Sequence, residues 1–213
     1  MSLQDEIQEA IANTKTVLAP KQNIETFGAT VIDYRVVCPM TEQPGNIRIR
    51  SGRIYAERPR VITPTYYANE LLDNFGEEAQ EYAEWLKHTP DGIRILQYGL
   101  RFRKEEADEQ VVAGELEDVA EQIADGLREE ENQLAGVVTG VDAMWEVSLL
   151  KFASEMIQSS VAENVRDLSG QGLLQNTTGD VPAAVRVEIE SDFRSAQGNR
   201  RQIQNLGNKL RRY

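Results

Sequence analysis

One cysteine and one histidine in 213 residues remove several chemistries at once. Zinc sites of the Cys/His type need about four such ligands, which Cys38 and His88 cannot supply. A lone cysteine has no intramolecular disulfide partner, and that usage fits a reducing cytoplasm. The chain contains no Gly-x-x-x-x-Gly-Lys, no Gly-x-Gly-x-x-Gly after a strand and no Gly-x-Ser-x-Gly. Phosphate loops, dinucleotide-binding turns and nucleophile elbows therefore lack their signatures. Ser169-Gly170-Gln171-Gly172 is glycine-rich but follows a helical pattern, where a helix C-cap explains it. There is no Asp-x-Asp-x-Asp-Gly calcium loop. His88 lies four residues after Glu84 without Glu-x-x-His spacing, so its expected role is to meet the dipole of a helix end.

Long apolar runs are missing too. None approaches the length of a membrane span. Met1-Ser2-Leu3-Gln4-Asp5-Glu6 is acidic and amphipathic, without the basic start and apolar block of a secretory signal. These absences lead to an expectation of a cytoplasmic protein with no membrane contact, no metal and no cofactor. No catalytic residue is nominated, although 35 acids leave room for a carboxylate pair.

What is present is charge, unevenly placed. The chain carries a formal net charge of −12. Between Glu105 and Glu131 stand twelve acids and one base, Arg128. The remainder is nearly neutral, yet its arginines are bunched. Opposite patches of this kind meet each other, a second copy or a partner.

Hydrophobic periodicity predicts an α+β fold: a small antiparallel sheet in the first half packed against helices, and a helical second half. Residues 3–18 read as an amphipathic helix through Leu3, Ile7, Ile11 and Leu18. Residues 29–38 alternate as a strand, with Ile32, Tyr34, Val36 and Cys38 on one face. Residues 46–57 look like a hairpin turning at Ser51-Gly52. Thr63-Pro64 opens a helix whose inner side is Tyr67, Leu71, Leu72 and Phe75, and 93–103 resume a strand. From Gly114 onward the periodicity is helical. Leu116, Val119, Ala120, Ile123 and Leu127 form the apolar stripe of an acidic helix, and 141–158 form the most apolar helix. A short helix follows over Val161–Leu168. After Pro182 comes another, with Val185, Ile189 and Phe193 inward. The expected organisation is one composite domain over 1–213: helix 3–18, sheet and helices 29–104, helical half 114–197 and a basic tail 198–213.

The hairpin reading aligns Arg48, Arg50 and Arg53 on the face away from Ile47, Ile49 and Ile54, with Arg101 and Arg103 outward on their own strand. Such a face would bind an anion or an acidic partner. The bland reading is an ordinary solvated sheet face, or one paired with the protein's own acids. The tail adds Arg200, Arg201, Lys209, Arg211 and Arg212 around Ile203, Leu206 and Leu210. Cys38, on the apolar face of its strand, reads as a buried, inert thiol. The leading expectation is a non-catalytic protein-binding, adaptor or scaffold protein that acts through charge-polarised surfaces and associates with itself. Nucleic-acid or polyanion binding through the arginine face and tail comes second, and an enzyme with a carboxylate site third.

Overall fold

The computed structural model describes residues 3–56, 60–61, 72–73, 77–78, 81, 98–99, 102–173, 183–196 and 203. Of the helix expected after Thr63-Pro64 only Leu72–Asp73 are described, and they form a strand held by pairing with Phe102 and Arg103. The rest of it, His88, Arg101 and the five tail bases lie outside the described residues.

Alternation builds the centre of the sheet. In β2 (Thr30–Pro39), Ile32, Tyr34, Val36 and Cys38 are buried on one face and Val37 on the other. β3 (Asn46–Ala56) runs antiparallel to β2, and β7 (Phe102–Ala113) runs antiparallel to β3. β1 (Lys15–Leu18) forms one border. β4 (Arg60–Val61) and β6 (Tyr98–Gly99) pair as a separate ribbon. β5 (Leu72–Asp73) lies parallel to the start of β7. β8 (Ala135–Thr139) enters between β1 and β2, antiparallel to the first and parallel to the second. The result is a mixed six-stranded sheet in the order β1-β8-β2-β3-β7-β5, accompanied by helices in an α+β fold.

Around β8 and β2 both faces of that sheet are covered. On one side lie α1 (Leu3–Ala12) and α3 (Trp145–Gly170), whose Val147, Leu149, Phe152, Ala153 and Met156 join Ile32, Val36, Ile54 and Val138 in one core. On the other side α2 (Leu116–Glu129) lays Ala120, Ala124 and Leu127 over Val37, Ile47, Ala135 and Val137. Each side chain buried there removes apolar surface from water at roughly 25 cal/mol per Å². Gly136 makes one close approach possible. A Cβ built there would stand 2.2 Å from the Phe152 ring, so the aromatic lies directly on the strand backbone.

Several expectations change. Lys15–Leu18 belong to a strand, and the first helix ends at Ala12. Asn13 Nδ2 donates to the Glu9 carbonyl at 2.8 Å and Thr14 Oγ1 to that of Ala10 at 2.7 Å, which satisfies the helix end. Residues 46–56 form a single strand, not a hairpin, because β2 and β7 pair along both its sides and hold it extended through Ser51-Gly52. The two helices expected at 141–158 and 161–168 are one continuous helix. Phe193, expected inward on α4 (Ala183–Ala196), is exposed. The second half also contributes the strand β8.

The segment between α1 and β2 is tied to α3 by side chains. Thr14 bonds Ser148 at 2.7 Å, Thr16 bonds Glu155 at 2.8 Å, and the Ile24 amide donates to Ser160 Oγ at 2.9 Å. Thr26 reaches Asn164 at 2.9 Å and Asp167 at 2.7 Å. Partners on both segments advance in the same chain direction, so residues 14–26 form a strap along about 29 Å of helix.

Candidate functional site

The continuous β3 strand decides where the arginines go. Period-two alternation puts Arg48, Arg50, Gly52 and Ile54 on the face that meets α3, and Ile47, Ile49, Arg53 and Tyr55 on the other. Arg48 sits beside Cys38 and Arg50 beside Val36 in the register with β2. The single arginine face expected from a hairpin is therefore split between two sides of the sheet.

Arg48 and Arg50 converge on Asp142, in the single 3-10 turn that precedes α3. Arg48 Nη1 donates to Asp142 Oδ2 at 2.5 Å, and Arg50 Nη1 to Asp142 Oδ1 at 2.7 Å. One carboxylate thus bridges two like charges that their strand places side by side. Glu109 on β7 adds ion pairs to Arg48 Nε at 3.3 Å and to Arg50 Nε at 3.0 Å, and Glu42 bonds Arg48 Nη2 at 2.8 Å. The longer contact to Arg48 Nε is not aligned as a hydrogen bond. Both guanidiniums are largely enclosed, with exposures of 19% and 13%, and Asp142 is 8% exposed. Burial works against the Arg48 charge, but the Glu42 hydrogen bond and the Asp142 and Glu109 charges outweigh it and hold the group above its ordinary value. Glu42 is held below the usual carboxylate range by a backbone N–H bond and then by Arg48.

A second group adjoins the first. Lys104 on β7 is buried against Glu146 in the first turn of α3 and bonds Glu106 at 2.6 Å. Trp145 lies beneath both groups, its ring centroid 4.4 Å from Lys104 Nζ and 5.1 Å from Arg50 Cζ. Tyr34 is fully buried 6.5 Å from the Trp145 ring, and its hydroxyl has no hydrogen-bond partner. Burial, then the Glu106 and Glu146 charges, push that phenol well above its ordinary value. Gly52 admits the hydroxyl, since a Cβ there would stand 2.6 Å from Tyr34 Oη and 2.1 Å from the Glu105 carbonyl. Chemically this assembly is a closed ion-pair network. An added anion would have to displace Asp142 or Glu109 to reach the guanidiniums.

Arg53 and Arg103 lie on the opposite face, toward the same end of the sheet. Arg53 Nε donates to Asp33 at 3.1 Å. Arg103 pairs with Glu105 at 2.6 Å and stacks 4.3 Å from the Tyr55 ring centroid. Both remain substantially exposed. Asp142, Glu146 and Lys104 had no signal in the sequence, because an acid in the first turn of a helix is ordinary and the turn that aims it is tertiary.

The acidic run divides between two elements. Glu105, Glu106, Asp108 and Glu109 lie on β7, not on a helix. Glu117, Asp118, Glu121, Asp125 and Glu129 lie on the outer face of α2 and are exposed. Arg128 answers two of them, Asp125 at 2.5 Å and Glu121 at 3.4 Å. Among the described residues no group of three or more His, Cys, Asp or Glu side chains stands close enough to hold a metal ion, and no helix is long and apolar enough to cross a membrane.

Comparison with family models, with curated proteins and with solved structures finds no match to this chain.

Proposed function

We propose that this protein is a non-catalytic, cytoplasmic binding or scaffold protein that recognises a basic partner through the acidic outer surface of α2 and β7. The supporting observation is an imbalance in pairing. Arg48 and Arg50 are neutralised by Asp142, Glu109 and Glu42, while the outward acids of α2 have Arg128 alone on their own helix. A surface left with excess negative charge attracts basic partners over roughly a Debye length, about 10 Å at 0.1 M salt, and sets orientation and association rate. The segment from Arg194 to Tyr213 carries six bases and no acid, so a second copy of the chain is one such partner. The buried Cys38 thiol suits a compartment where thiols stay reduced.

The test is binding of an oligolysine peptide at low and high salt. The wild-type chain should bind with affinity that falls as salt rises. A variant combining Glu117→Gln, Asp118→Asn, Glu121→Gln and Asp125→Asn should lose most of that binding, while Arg53→Gln with Arg103→Gln should not. Equal binding by all three proteins would overturn the proposal. Tight, salt-sensitive binding of a DNA duplex, lost on changing Arg53 and Arg103, would favour the polyanion reading.

A further inference from the structure

β7 is a border strand along most of its length. β5 pairs with it at Phe102 and Arg103, and among the described residues nothing pairs with its outer side from Glu105 to Ala113. The strand is open to solvent there: Glu106, Asp108, Glu109, Gln110, Val111 and Ala113 are exposed, Val111 at 48%. Nine residues of extended chain present about 30 Å of unpaired backbone donors and acceptors. Such edges invite another strand, and proteins usually shorten or cover them.

The side chains on this edge are ordered. The register with β3 passes from Ser51 opposite Asp108 to Gly52 opposite Glu106, so Ala107 is the extra residue of a bulge. On either side of it lie Glu105, Glu106, Asp108 and Glu109, followed by Gln110, Val111, Val112 and Ala113. Glu105, Glu106 and Glu109 pair with Arg103, Lys104 and the Arg48–Arg50 pair, but Glu146, Asp142 and Glu42 share those bases. The first half therefore keeps an excess of negative charge, while the second is uncharged. Two copies pairing in parallel through β7 would bring two such negative halves together, and in either direction the approaching chains each carry −12. Like charges oppose that contact, which turns protection of the edge into selection of a partner.

We propose that the outer edge of β7 is a strand-docking site for an extended basic segment of another protein. The incoming strand carries Lys or Arg across from Glu105 to Glu109 and apolar β-branched residues across from Val111 and Val112. Backbone hydrogen bonds supply affinity, and the alternating side chains supply selectivity. This rests on the acidic-surface reading and adds to it a mode of binding.

The probe is a ten-residue peptide alternating Lys with Val, compared with the same peptide N-methylated at every second residue, which removes the donors on one edge. The full-length chain is titrated with each by fluorescence anisotropy, and amide hydrogen exchange is followed with the first. The unmethylated peptide should bind at least about tenfold more tightly, and amides within 105–113 should gain protection. Val111→Lys, on an exposed position, should weaken that binding while leaving the melting temperature unchanged. Equal binding of both peptides, or protection confined to α2, would overturn strand docking and leave the acidic-surface reading standing. No binding of either peptide would overturn both.

Discussion

Asp142 is the residue on which the charged core turns. It holds two guanidiniums that neighbour each other on β3, and it is nearly buried. Removing one partner of such a cluster leaves charge without compensation, at a cost of about 3 kcal/mol or more. Asp142→Asn should therefore lower the unfolding free energy by an amount of that order, read as a lower urea midpoint at an unchanged m-value; a midpoint within error of wild type would show that Glu109 and Glu42 suffice. Cys38 supplies a second test. Burial, with the Asp142 charge, pushes its thiol up to about 12 from an ordinary 9.0. Tyr34 is shifted the same way. The unfolded chain loses both protons first, so their contribution is fully present below pH 9.0 and is lost as pH rises toward about 12. Native protein at about pH 8 should fail to react with a thiol reagent that labels it readily in urea. Denaturation between about pH 8 and pH 11 should show stability falling with pH, less steeply in Cys38→Ala.

At the level of elements, α2 separates folding from recognition. Its inner stripe packs on the sheet, while its outer acids touch solvent, so neutralising Glu117, Asp118, Glu121 and Asp125 should move stability by no more than about 0.5 kcal/mol per site. Thermal melts of the variant used for binding check this, and a large loss would mean those acids are structural. Gly136→Ala should behave oppositely. Its methyl would enter the Phe152 ring, and overpacking of that kind costs about 1–3 kcal/mol. The elements were unequally legible in the sequence. The alternation of β2 and the helical stripe of α2 could be read directly, because one buried face leaves a period. β8 could not: all five of its residues are buried, so Ala-Gly-Val-Val-Thr has no period and lies between two helical stretches. The hairpin reading of 46–57 failed for a related reason. Ser-Gly resembles a two-residue turn, but here the glycine is needed for the close approach of Tyr34, a contact from another strand. That one misreading grouped Arg53 with Arg48 and Arg50, whereas the continuous strand puts Arg53 on the face of Ile47 and Ile49 and Ile54 on the face of the other two arginines.

At the scale of the whole molecule, the uneven charge is partly consumed inside and partly displayed. The network of Arg48, Arg50 and Lys104 draws in Asp142, Glu146, Glu106 and Glu109, and the outward face of α2 is left over. If that remainder drives self-association through the basic tail, light scattering should report a larger mass at low salt that falls toward the monomer as salt is raised. A mass that does not change with salt or concentration would limit the role to foreign partners. The position of β8 carries a further consequence for how the chain is made. β1 and β2 are consecutive strands, yet the strand that joins them is not synthesised until more than a hundred residues after β1 is complete. A growing polypeptide that has left the ribosome as far as Ala113 has both neighbours and a gap between them. Sheet closure is therefore a late event in biosynthesis, and until it occurs Val36, Val37 and their neighbours remain open to chaperones.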